Sequence, residues 1–101
     1  VANGREWDKI LQAAGPRLVV VDFTATWCGP CQRIKSDYHR LAATYTDAIF
    51  LQVDVDQCDD VAGRCRVTSM PTFQFYQHTS KVHQVTGANI PKVEEAVLRL
   101  K

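Results

Sequence analysis

At 101 residues the chain is large enough for one hydrophobic core but not for two. Its 46% hydrophobic and 23% charged residues are ordinary for a globular domain, and no apolar run approaches the ~20 residues that span a bilayer. Twelve Lys and Arg against 11 Asp and Glu leave a formal charge of +1, which gives no electrostatic footprint for nucleic acid or an anionic membrane.

In chain order, Asn3 with Glu6 three residues on has the form of a capping box. Trp7, Ile10 and Leu11 then make an apolar stripe that ends near Ala14, and Gly15-Pro16 closes this first helix. Residues 18–24, a β-branched and almost uninterrupted run, predict a strand buried on both faces. From Ile34 onward apolar residues recur at helical spacing through Tyr38, Leu41 and Tyr45, so a long helix is expected to about Tyr45. Residues 48–53 predict a second strand suited to the sheet interior, and 58–66 a short helix weakened by Gly63. Residues 72–76 and 81–85 predict two strands joined by the polar tip 77–80. Asn89 caps a last helix with Pro91 in its tolerant first turn and Val93, Val97 and Leu100 on its buried face. The order βαβα-β-β-α implies a mixed sheet with helices on both sides.

Between the first long strand and the long helix lie Trp27-Cys28-Gly29-Pro30-Cys31. A thiol in a helix's first turn faces the positive end of the macrodipole and unpaired N–H groups, both of which favour thiolate. Two such thiols three apart can attack a disulfide and then resolve the mixed disulfide. Zinc is the competing use of paired cysteines. It needs two further ligands, yet Cys58 and Cys65 form no second CxxC and His39, His78 and His83 form no HxxxH, so no metal is expected.

This motif resembles the active site of the thioredoxins, and the resemblance runs through Val21-Asp22-Phe23, Val53-Asp54-Val55-Asp56, Met70-Pro71-Thr72-Phe73 and Thr86-Gly87-Ala88-Asn89. It is strongest toward the cytosolic thioredoxins of animals and other eukaryotes. The resemblance implies an α/β thioredoxin fold formed by residues 1–101 as a single domain. Its mixed central sheet would have four or five strands, the first cut short to Val1 and Ala2, flanked by four helices.

The resemblance further implies Cys28 as nucleophile, Cys31 as resolving thiol, and Asp22 as a buried acid that helps move the resolving thiol's proton. From the residues alone, Asp22 reads equally as a strand residue turned to solvent. Gly29 would let a partner backbone approach and Pro30 would fix the helix's first turn. In the family, a proline between the cysteines goes with reducing enzymes. A cis bond at Met70-Pro71 is implied opposite the cysteines, with Trp27, Met70, Pro71, Thr72, Gly87 and Ala88 around a shallow apolar groove for substrate. Gln52 stands where many bacterial members have a lysine near the buried acid.

Cys58 and Cys65 lie with Val61 and Ala62 on one helical stripe and are expected in the core, whereas the resemblance implies a regulatory use on oxidation. On an intact helix their Cα atoms would stand roughly 10 Å apart, too far for a disulfide. Asp54, Asp56, Asp59 and Asp60 read as a solvated turn and helix start, with Asp56 at a family position near the active site. The three histidines read as surface residues. Two departures stand out. Ser36 replaces the proline that commonly kinks the long helix, which predicts a straighter helix or a local bend by serine back-bonding. Thr79 replaces the usual hairpin glycine.

The function expected is therefore reduction of disulfides in client proteins through the Cys28–Cys31 pair. The resemblance implies recharging by thioredoxin reductase and NADPH, no bound cofactor, a monomer and a cytoplasmic location. Neither nucleic acid nor membrane is an expected partner. The rival reading is a redox-sensitive, non-catalytic binding module belonging to a larger protein.

Overall fold

The Asn3 side chain accepts the Glu6 N–H at 2.9 Å and starts α1 (Gly4–Ala14). Glu6 reaches back to Ala2 N at 3.3 Å rather than to Asn3 N, so the box closes one residue early. Gly15, at φ 56°, ends the helix in the left-handed region that suits glycine. The structure, a computed structural model, describes all 101 residues.

β1 (Val19–Thr24) is the central strand, buried at every position up to Phe23. β2 (Ile49–Asp54) pairs with it in parallel and β3 (Thr72–Gln77) antiparallel; β4 (Ser80–Thr86) pairs antiparallel with β3, giving the order β2-β1-β3-β4. The sheet is thus mixed and four-stranded. β2 occupies an edge instead of the interior position its composition predicted, and only Val53 in it is fully buried. On the free side of β2 the contact is with Val1, whose ammonium donates to Gln52 O at 3.3 Å.

Side chains alternate across β1, so its two faces feed two cores. Val19, Val21 and Phe23 pack with Trp7, Leu11, Val53, Val61 and Tyr76 under α1 and α4 (Asp59–Arg64). Leu18 and Val20 pack with Tyr38, Phe73, Phe75, Val93 and Val97 under α3 (Lys35–Thr44) and α5 (Ile90–Leu100). Full burial of each Val, Leu or Phe side chain contributes about 1.5–3 kcal/mol, so β1 is the strand both layers depend on. Asp22 falls on the Val20 face by the same alternation.

The long helix is neither straight nor bent at Ser36. It divides into α2 (Gly29–Arg33) and α3, with the break at Ile34 (φ −95°, ψ 0°), so five helices flank the sheet rather than four. No Pro or Gly sits at the break. On either side of it the Cys28–Cys31 disulfide ties down α2, and the Tyr38 hydroxyl, 2.7 Å from Leu51 O and 3.1 Å from Val20 O, holds α3 over the sheet.

The β3–β4 hairpin is tighter than expected. Strand pairing extends to Gln77 and Ser80, leaving only His78 (φ 50°) and Thr79 (φ 65°) in the turn. Two successive left-handed residues make the type I′ turn that matches strand twist. A β-branched residue is strained there. Thr79→Gly is therefore expected to stabilise the fold by about 1 kcal/mol, read as a higher urea midpoint with unchanged slope. A midpoint that falls refutes the strain.

Candidate active site

β1 delivers the chain to Ala25, whose carbonyl accepts Cys28 N at 3.2 Å and the Gln32 side-chain amide at 2.9 Å. These two bonds close the turn that carries Trp27 and Cys28. Cys28 is the N-cap of α2, and its sulfur takes the place of a capping oxygen: Cys31 N donates to Cys28 Sγ at 3.2 Å. Pro30 falls in the first turn, where a missing N–H leaves nothing unpaired. Cys28 and Cys31 are joined as a disulfide with Cα atoms 5.3 Å apart, and both are buried. The structure therefore shows the oxidised pair. That N–H and the helix start both face the Cys28 sulfur, an arrangement of the kind that favours a thiolate.

Asp22, six residues before Cys28, is 1% exposed and not turned to solvent. Its Oδ2 accepts the Gln52 amide at 3.3 Å, as their opposed positions in the β1–β2 register dictate; its Oδ1 has no hydrogen-bond partner. Burial pushes the Asp22 pKa from 3.8 up to about 6, against the Gln52 hydrogen bond and His39, which pull it down. A group so placed changes charge close to neutral pH, the range in which a proton acceptor is useful. The same burial, and after it the Asp22 charge, pushes the Tyr38 hydroxyl well above its ordinary 10.

Around the cysteines, Trp27 is 66% exposed and its Nε1 donates to Asp56 Oδ2 at 2.8 Å. Met70 and Val55 pack against the small cluster of Ala25, Cys28 and Cys31. The Met70–Pro71 peptide bond is cis, and Pro71 O accepts Gly87 N at 2.9 Å, which brings Gly87 (φ 90°) and exposed Ala88 beside it. Thr72 contributes no side chain to this surface: it is 2% exposed and its hydroxyl donates to Ser69 O at 2.6 Å. Pro71 is likewise buried. The surface hollows of the molecule, the largest about 400 Å³ against Trp7, Leu11, Cys65 and Tyr76, include none of Trp27, Met70, Gly87 or Ala88. None of these hollows is lined by Cys28 or Cys31, although one is bordered by Ala25, Thr26 and Gln32.

Cys58 and Cys65 are free thiols at the two caps of α4. Cys58 is buried with Sγ donating to Val1 O at 2.9 Å; Cys65 is half-buried and accepts from the Tyr76 hydroxyl at 3.4 Å. Burial pushes both above their ordinary 9. Of the acidic cluster, Asp54 Oδ1 accepts the N–H groups of Asp56 and Gln57, Asp60 Oδ2 accepts Gly4 N, and Asp56 reaches Trp27 beside the cysteines. His39 and His78 are exposed as expected, while His83 is half-buried with its ring 5.4 Å from that of Phe75. No group of three or more His, Cys, Asp or Glu side chains is arranged to hold a metal ion.

Two features were not anticipated from the sequence. The Trp27–Asp56 bond joins residues 29 apart and rests on tertiary geometry alone. Arg33 comes within 3.4 Å of where a Gly29 Cβ would stand, and here the i,i+4 spacing is a signal that could have been read.

The family model for thioredoxin matches residues 1–98. Thioredoxin of Ophiophagus hannah is 53% identical over 97 residues, covering 96% of this chain and 92% of the relative. The X-ray structure of Fasciola hepatica thioredoxin superposes with a TM-score of 0.97 at 39% identity, over 99% of this chain and 96% of that one. A chain from a study of the thiol resolving mechanism in yeast mitochondrial 1-Cys peroxiredoxin via glutathione/thioredoxin systems does so at 0.92 and 32% identity, over 99% and 92%. No helix here is long and apolar enough to cross a membrane. Fold, cysteine pair and relatives agree: the chain belongs to the thioredoxin family and is a dithiol–disulfide oxidoreductase.

Proposed function

We propose that this protein reduces disulfide bonds of client proteins in the cytoplasm, residues 1–101 acting as one domain. The observation that carries this reading is the Cys28–Cys31 disulfide at the start of α2, with Cys31 N–H aimed at Cys28 Sγ. In the reduced protein the Cys28 thiolate attacks one client sulfur, forming a mixed disulfide and releasing the other client sulfur as thiolate. Cys31 then loses its proton, with Asp22 as acceptor, and attacks Cys28 Sγ. The second client sulfur leaves, and two electrons have passed to the client. Asp22 supports this role by its burial, its unpartnered Oδ1 and a pKa of about 6.

With no hollow lined by the cysteines, the surface suits a polypeptide client better than a small molecule, which would need a concave site. Trp27, Met70, Gly87 and Ala88 form the contact surface, Gly29 and Pro30 shape the turn, and Pro71 and Thr72 act beneath it as support. A structure of this fold taken in the context of a peroxiredoxin's thiol chemistry accords with protein clients. The oxidised pair is recharged by thioredoxin reductase with electrons from NADPH, the protein binding no cofactor itself. The free thiols of Cys58 and Cys65 fit a reducing compartment, and their own oxidation is a candidate regulatory event.

The test is NADPH consumption in a mixture of thioredoxin reductase, insulin and this protein. Consumption that depends on the protein is expected. No consumption, with insulin left oxidised, overturns the reading.

A further inference from the structure

Side chains on a helix lean toward its N-terminus, so a residue at i+4 reaches back over residue i. In α2 that geometry carries Arg33 over Gly29, the residue next to Cys28. The Arg33 Nη1 atom stands 3.4 Å from the point a Gly29 Cβ would occupy, so the missing side chain leaves the guanidinium lying on the exposed backbone of the motif. Arg33 is exposed and has no carboxylate of its own: the four ion pairs of the molecule use Val1, Arg40, Arg64 and Lys101. Asp56 stands at Trp27, held by the indole N–H. Lys35, also on the long helical stretch, lines a different hollow with Gln52 and Asp54. The rim of the cysteine pair is therefore positive on the Gly29 side and negative on the Trp27 side.

We propose that Arg33 is a specificity-determining residue that selects clients with an acidic side chain flanking the disulfide. This rests on the disulfide-reductase reading and names a substrate class within it. A guanidinium presents donors in a planar fork suited to a carboxylate, and a client segment laid on the Gly29 backbone brings its flanking residue to that fork. The pair forms at a surface open to solvent, so it changes encounter and selectivity by a modest factor and weakens with salt.

The experiment uses the fully reduced protein and three disulfide peptides that differ only at the residue flanking the reactive sulfur: Glu, Gln or Lys. Second-order rate constants of reduction are measured at low and high salt, the Gln peptide serving as reference. The unsubstituted protein is expected to favour Glu over Lys by about fivefold at low salt, with the ratio approaching one at high salt. Arg33→Gln is expected to bring the ratio close to one at low salt, Arg33→Lys to keep most of it, and Arg33→Glu to invert it. A Glu-to-Lys ratio that is the same in the unsubstituted protein and in Arg33→Gln overturns the proposal while leaving the reductase reading intact. Failure of the unsubstituted protein to reduce any of the three peptides overturns both.

Discussion

Asp22→Asn is expected to stabilise the folded protein by about 3 kcal/mol at pH 8, by about 1.5 kcal/mol at pH 5 and by only about 0.5 kcal/mol at pH 4. The cause is the cost of ionising a carboxyl that is 1% exposed and has one oxygen unpartnered. Its pKa is 3.8 in the ordinary state and about 6 in the fold. Between those values the folded chain holds a proton that the unfolded chain has released, so stability falls as pH rises through this window and stays low above it. Asparagine is close in shape to the neutral acid, can still accept from Gln52, and never ionises. Urea unfolding of both proteins at the three pH values checks this. A gain that is the same at pH 4 and pH 8 would place its origin in packing and not in ionisation.

The same substitution separates stability from function. If Asp22 accepts the Cys31 proton, its carboxylate must be present, so resolution of the mixed disulfide in the unsubstituted protein should weaken as pH falls through about 6. Asp22→Asn should slow that step by about tenfold or more and remove the inflection. A variant that is more stable yet slower shows a strained charge retained at the expense of fold stability. A variant that is more stable and equally fast assigns Asp22 no part in proton transfer.

How far this was readable from the chain differs between fold and site. The β-branched run of β1 and the caps at Asn3 and Asn89 are local signals, and the elements they mark lie within a residue or two of expectation. The exposure of β2 was not readable, because Ile49–Asp54 has the composition of an interior strand and only its neighbours decide its place. Nor was the break at Ile34. A continuous apolar stripe predicts one helix, and neither a Pro nor a Gly marks the interruption between α2 and α3. At the site, the cysteine spacing and the interrupting Asp22 stand out in the sequence. What Asp22 meets does not: Gln52 is opposite only through parallel register, and Asp56 meets Trp27 only through the loop after β2. Thr72 shows the reverse error, a motif residue placed at the surface by resemblance but turned into the sheet.

Cys31→Ser and Cys28→Ser are expected to abolish turnover alike, by about 10³-fold or more, yet to leave different products. With Cys31→Ser the first attack proceeds and the second cannot, so a stable mixed disulfide with the client accumulates through Cys28. With Cys28→Ser no such adduct is expected at neutral pH. Both cysteines are buried, but Cys31 gives its N–H to the Cys28 sulfur position, so it lacks the donor that favours thiolate at Cys28. Cys58 and Cys65 provide an internal comparison. They remain thiols in both variants, but burial holds them above their ordinary 9, so they stay protonated and slow to attack. Incubation with a disulfide client, quenching by acid and peptide mapping of the adduct would locate the bond. Adduct through Cys28 alone supports the assignment. Comparable adduct through Cys31 in the Cys28→Ser protein, or through Cys58 or Cys65 in either, would sink it, because reactivity would then follow the mere presence of a thiol and not the helix start that holds Cys28.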